Sequence, residues 1–85
     1  MNFNTYGKIT EIFTHENVTN FILRTSSGFF IISIFDKIKA KFDEKCKIDD
    51  YIYVTGYITK KTEKRNDGAY QEKYDVIGQY IGIND

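Results

Sequence analysis

The sequence predicts an all-β domain built as a small closed barrel, on three observations. Of its 85 residues, 24 are β-branched (13 Ile, 8 Thr and 3 Val), whereas leucine occurs once and alanine twice. Seven Phe and seven Tyr strengthen the bias. Such side chains fit a pleated, half-buried surface, which excludes a helical bundle. Next, apolar and polar residues alternate in five segments punctuated by turn residues. Lastly, a chain this short buries only about 60–65% of the surface its unfolded form exposes, so its core must be efficient, and a sheet closed on itself is an economical way to build one. A single domain over residues 1–85 is expected.

The first strand runs from Phe3 to Phe13, with Ile9 and Ile12 among polar residues and Gly7 inside, where a bulge or tight bend is expected. Thr14-His15-Glu16-Asn17 is a turn. The second strand, Thr19 to Ser26, places Phe21, Leu23 and Thr25 on one face and Asn20, Ile22 and Arg24 on the other. Ser26-Ser27-Gly28 is a short hairpin connection, with glycine supplying a positive φ. The third strand, Phe29 to Phe35, follows at once.

Between Asp36 and Lys47 the period changes. Ile38, Phe42 and Cys46 recur at helical spacing after Asp36, an expected N-cap, and predict a short amphipathic helix. Asp49-Asp50 is a turn, and Tyr51 to Thr59 is the fourth strand, with Ile52, Val54, Gly56 and Ile58 on one face. Lys60 to Gly68 is a charged excursion ending in the turn signal Asn66-Asp67-Gly68. It reads as a flexible basic loop between strands four and five that supplies phosphate contacts. The last strand spans Tyr70 to Ile83, its facing left open by Gly78 and Gly82. The order β-β-β-α-β-β, with one short helix between strands 3 and 4, is that of the OB-fold, a five-stranded Greek-key barrel.

Several function classes fall away. Twelve basic and twelve acidic residues leave no net charge, so contacts with nucleic acid must come from local patches. The single cysteine, Cys46, forms neither an intramolecular disulfide nor a zinc site, which points to a reducing, cytoplasmic setting. Phe29-Phe30-Ile31-Ile32 is the longest apolar run, too short to span a membrane, and the first residues lack a signal-peptide pattern. The one histidine, His15, sits in a polar turn without a second for a metal pair. Neither a Gly-rich phosphate loop nor G-x-S-x-G occurs. No enzyme activity, cofactor or metal is expected.

The chain resembles the single-stranded DNA-binding proteins of the bacterial and phage OB type. The resemblance rests on Tyr6-Gly7-Lys8-Ile9, on Asn20 to Thr25 and on Phe29 to Asp36. It continues through Asp50 to Ile58, where the family has a turn and a V-x-V-x-G-x-[IL] strand, and through Gly68-Ala69-Tyr70 and Tyr74 to Ile77, similar to its closing hairpin. It implies sequence-tolerant single-stranded DNA binding in replication or recombination, by a homo-oligomer (dimer or tetramer). The chain departs from the family in having no Trp and no flexible acidic tail beyond Ile83-Asn84-Asp85, so recruitment through a tail is not expected. A phage or mobile-element origin fits both departures.

Single strands are held by rings that stack on bases and by cations that follow the phosphates. If Phe30, Ile32 and Ile34 point inward, Phe29, Ile31, Ser33 and Phe35 point outward; the register is favoured because Ser33 in the core would cost about 1–3 kcal/mol. The resemblance places stacking aromatics at Phe29 and Phe35. Asn20, Ile22 and Arg24 flank them on strand two, and Tyr6 and Lys8 share a face of strand one. Lys60, Lys61, Lys64 and Arg65, with one Glu, give the excursion a local charge of +3, and Tyr70 follows it. In the reverse register Phe29 and Phe35 are core, and the cations form only a solvated hairpin. Tyr51, Tyr53 and Tyr57 admit three readings: base stacking, a subunit interface, or cover beneath the helix. RNA binding and protein assembly without nucleic acid are the alternative functions.

Overall fold

The computed structural model describes residues 1–83; Asn84 and Asp85, on which the expectation about a tail bears, lie outside them. The elements are β1 (Asn2–Thr14), β2 (Thr19–Thr25), β3 (Gly28–Ile34), α1 (Asp36–Lys45), β4 (Tyr51–Lys64) and β5 (Tyr70–Ile83). The strands close a barrel in the order β1-β2-β3-β5-β4. Pairing is antiparallel except where β3 meets β5 in parallel at Ser33 and Ile77. β1 serves both sides of the closure: Asn2 to Lys8 pair with β4, and Lys8 to Thr14 pair with β2.

Period-2 patterning builds the core directly. Phe21 and Leu23, Ile32 and Ile34, and Ile52 and Val54 are fully buried, joined by Ile9 and Ile81. The helix plugs one end of the barrel. Its Phe42 ring lies 4.5 Å from that of Phe21, nearly parallel to it, while Ile38 and Cys46 pack at the margin. The buried Thr19 hydroxyl donates to Asp43 Oδ1 at 2.8 Å, which ties the helix to the start of β2. No helix among the described residues is long and apolar enough to cross a membrane.

Four local expectations need correction. Asp36 is not the N-cap: Phe35 holds that position without any side-chain cap bond, and Asp36 follows it at φ 52°, a left-handed conformation that Asp tolerates better than most residues. The bulge of β1 lies at Thr10, between the pairs Ile9–Leu23 and Glu11–Ile22, and not at Gly7. Phe30 points to the interior side as expected but is 37% exposed. It stands at the barrel end without a helix, where it lines an apolar recess of about 210 Å³ with Phe3, Ile58 and Val76.

The fourth correction is the largest. The excursion from Lys60 to Gly68 is no flexible loop: β4 and β5 stay paired in register out to Lys64 and Tyr70. Lys61 and Lys73 stand opposite each other in register, and each turns to an acid on the diagonal, Asp75 and Glu63 respectively, as Lys60 does to Glu72. Such diagonal neighbours lie within reach of long side chains. Only the turn from Arg65 to Ala69 departs from the ladder, closed by two backbone hydrogen bonds and by the Ala69 amide donating to Asp67 Oδ1. The ribbon gives the molecule its long dimension of 49 Å against 30 and 20 Å.

Candidate nucleic-acid interface

Side chains on alternate residues of neighbouring strands line up when those strands are in register. Here the register runs Tyr51 opposite Lys8, Lys8 opposite Arg24, and Arg24 opposite Phe29, across β4, β1, β2 and β3. Parallel to this row, Tyr53 stands opposite Tyr6 on one side and Ile22 opposite Ile31 on the other. Three inter-strand steps make the row about 14 Å long as measured along the backbone of the sheet, and the row bends with the closed barrel.

Phe29 is 67% exposed, and the Arg24 guanidinium carbon lies 6.0 Å from its ring centre, at the edge of cation–π range. Arg24 makes no ion pair among the described residues. Lys8 Nζ sits 3.3 Å from Asp49 Oδ1. Tyr6 packs between Tyr51 and Tyr53, with ring centres 5.8 and 4.5 Å away. Between the tyrosines and Arg24 opens a groove of about 820 Å³, lined also by Lys8, Ser26 and Ser27. Gly7 forms part of its wall, and only glycine fits there, because a Cβ would stand 2.2 Å from the Arg24 carbonyl oxygen.

The expected residues divide into three groups. Tyr6, Lys8, Ile22, Arg24, Phe29 and Ile31 share the outer face just described. Asn20 lies farther along β2, where its Oδ1 accepts the Ser33 hydroxyl at 2.6 Å. Phe35 does face outward, but it stands beyond the end of β3 over a depression lined by Ile38, Tyr57 and Ile77. It does not join Phe29 in one platform: six residues of strand separate them, about 20 Å.

Lys60, Lys61, Lys64, Arg65 and Tyr70 lie on the ribbon, and its cations are largely partnered. Lys60 pairs with Glu72 at 2.9 Å, Lys61 with Asp75 at 3.6 Å, Arg65 with Asp67 at 3.7 Å, and Lys73 with Glu63 at 3.1 Å. Lys64 makes no ion pair among the described residues. Counted over both strands, from Lys60 to Asp75, five cations face four acids, so the local +3 becomes +1. Exposed pairs of this kind contribute little stability, yet they do offset the field a phosphate would feel.

Base stacking is one of the three readings open for Tyr51 and Tyr53; Tyr51 borders the groove, and Tyr53 packs against Tyr6 beside it. They are about half exposed, so cover beneath the helix is ruled out. Cys46 is remote from the face; burial, and secondarily Asp50, pushes its thiol pKa up, although Lys41 pulls the other way. That is the behaviour of a packing residue and not of an activated nucleophile.

The tRNA anticodon family model, described as an OB-fold nucleic acid binding domain, matches residues 3–81. Among solved structures, the mitochondrial single-stranded DNA-binding protein Rim1 of S. cerevisiae is similar, with a TM-score of 0.76 at 15% identity over 96% of this chain and 90% of that one. A small single-stranded DNA-binding protein of Streptomyces coelicolor matches with a TM-score of 0.70 at 14% identity, covering 99% of this chain and 94% of the other. The Plasmodium falciparum SSB, solved in complex with single-stranded DNA, gives 0.69 at 15% identity with the same coverage. At these identities the likeness is one of fold. No curated protein matches the sequence.

Proposed function

The chain belongs to the OB-fold nucleic acid binding domain family, and from that premise we propose that it binds single-stranded DNA with little regard to base sequence. The observation that carries this reading is the cross-strand alignment of Phe29, Arg24 and Lys8 on one outer face. An exposed ring takes a base on its π-face whatever the base, and an adjacent guanidinium takes a phosphate or extends the stack. The fold's likeness to structures described as single-stranded DNA-binding proteins supports the same reading. Protection of single strands during replication or recombination is the proposed role, with the ribbon cations as accessory contacts and no catalysis.

Fluorescence anisotropy with labelled oligo(dT) and a duplex of equal length tests the reading. Preference for the single strand is expected, and equal affinity for both, or no binding at low salt, sinks it. With few unpartnered cations, the salt slope of log K should be shallow, roughly −1.5 to −3 for about two to four phosphate contacts. A contact with protein alone would show almost no slope.

RNA is the second reading, favoured by the tRNA anticodon model that the sequence matches. Competition between oligo(dT) and oligo(U) of one length separates the two, because a site built around the 2′-OH would prefer RNA. We also propose self-association into a dimer or tetramer, since one short groove gives modest affinity and linked grooves raise it through effective concentration. Light scattering at high micromolar concentration that returned the monomer mass would refute it.

A further inference from the structure

We propose that Tyr6, Tyr51 and Tyr53 form a second base-stacking platform, continuous with Phe29 through the Lys8–Arg24 groove, so that one unpaired strand lies across β4, β1, β2 and β3. This rests on the single-strand reading above and adds to it a binding surface and a direction of travel.

The three rings are a built unit. Tyr6 is held between its two neighbours, at 5.8 Å and 25° from Tyr51 and at 4.5 Å and 41° from Tyr53. Each ring nevertheless remains about half exposed. A ring fixed by its neighbours loses little further rotamer freedom when a base arrives, which favours stacking at low entropic cost. The β5 neighbour of Tyr53 in register is Gly82, which carries no side chain, and the rings of Tyr53 and Tyr80 both lean over that position.

The surroundings favour a nucleic-acid strand over an apolar partner. The groove that joins the tyrosines to Arg24 is lined by Asn4, Thr5, Ser26 and Ser27 along with the two cations, a polar channel. Lys8 stands midway in the row, and its partner Asp49 is largely exposed, so a phosphate can replace that carboxylate without stranding a buried charge. The row therefore places two cations between two rings, so that phosphates between two stacked bases can meet Lys8 and Arg24. A strand that engages both platforms must span the barrel face; a very short one can reach only one of them.

The test uses the whole chain with oligo(dT) of about 4 and about 16 nucleotides, the limits of what single OB folds occupy. Replacing Tyr51 and Tyr53 together by Ala should weaken binding of the long oligonucleotide about five- to hundredfold and leave the melting temperature unchanged. The same variant should erase most of the advantage of the long oligonucleotide over the short one. Tyr51→Phe with Tyr53→Phe keeps rings and packing, so affinity should hold while the quenching of tyrosine fluorescence by bound DNA shrinks. That second variant decides the matter should the alanine pair fail to fold: quenching as large as in the native chain overturns the proposal. So does unchanged affinity in the alanine pair while Phe29→Ala weakens binding, a result that leaves the single-strand reading intact. Loss of an oligomer by light scattering, at unchanged affinity per protomer, would mark the tyrosines as a subunit interface and overturn it too. Absence of binding by the native chain would overturn both.

Discussion

The barrel face and the β4–β5 ribbon carry opposite kinds of surface. The face holds few charges, and its Arg24 has no acidic partner among the described residues and has the Phe29 ring beside it. The ribbon holds five cations, four of them in ion pairs with acids on the same two strands or in the turn that joins them. By charge count along the sequence the ribbon is the obvious place for a phosphate backbone. By availability it is the poorer one, because a phosphate that binds at Lys60, Lys61, Arg65 or Lys73 must displace a carboxylate already in place. A surface cation matters for recognition only to the extent that its own neighbours leave it unsatisfied, and strand pairing decides who those neighbours are.

Substitutions can break this contrast. The largest effect on binding is expected at the barrel face. Phe29→Ala should weaken single-strand binding by about 1–3 kcal/mol without moving the melting temperature, since the ring is mostly in solvent. Titration together with a thermal melt reads both. Phe30→Ala should do the converse: binding nearly intact and stability reduced by about 2 kcal/mol, less than the 3–5 typical of a fully buried ring, because the recess at the open barrel end exposes it.

The ribbon offers a gain instead of a loss. Glu72→Gln with Asp75→Asn releases Lys60 and Lys61 from their partners. Affinity for oligo(dT) at low salt should rise about two- to tenfold, and the salt slope should steepen by roughly one to two units, one for each cation newly able to meet a phosphate. An unchanged slope would show that the ribbon does not touch the strand. The smallest effect concerns Cys46. Its thiol pKa is raised by burial, so the folded protein holds less thiolate at mildly alkaline pH than the unfolded chain does. Alkylation by iodoacetamide should be several-fold slower than in urea, and unaffected by bound DNA.

The barrel was legible in the sequence because its signals are local. Alternation in Phe21 and Leu23, in Ile32 and Ile34, and in Ile52 and Val54 sets which side of each strand is buried, and the i, i+4 spacing of Ile38 and Phe42 marks the helix. The outward facing of Phe29 and Ile31 follows from the same alternation. What stayed hidden depends on contacts between distant segments. Tyr51 and Tyr53 join the face only through the pairing of β1 with β4, some 45 residues apart in the chain. The acids that neutralise Lys60 and Lys61 stand on the next strand, beyond the turn, so a count that stops at Arg65 misses them. Phe30 has the facing of a core residue and the wrong height in the barrel, since alternation reports the side of a sheet and not the distance from its open end.

Shortening the ribbon sets the two regions directly against each other. Thr59 and Asp75 are opposite each other in register, so an Asn-Gly turn in place of residues 60–74 should close the hairpin at the barrel rim and leave Ile58 and Val76 in position. The measurement is the oligo(dT) affinity of this shortened chain beside that of Phe29→Ala. The barrel face as the seat of binding predicts that the shortened chain stays within about tenfold of the native affinity, while Phe29→Ala falls by the 1–3 kcal/mol of a lost stacking contact. Binding lost with the ribbon and retained by Phe29→Ala would contradict it.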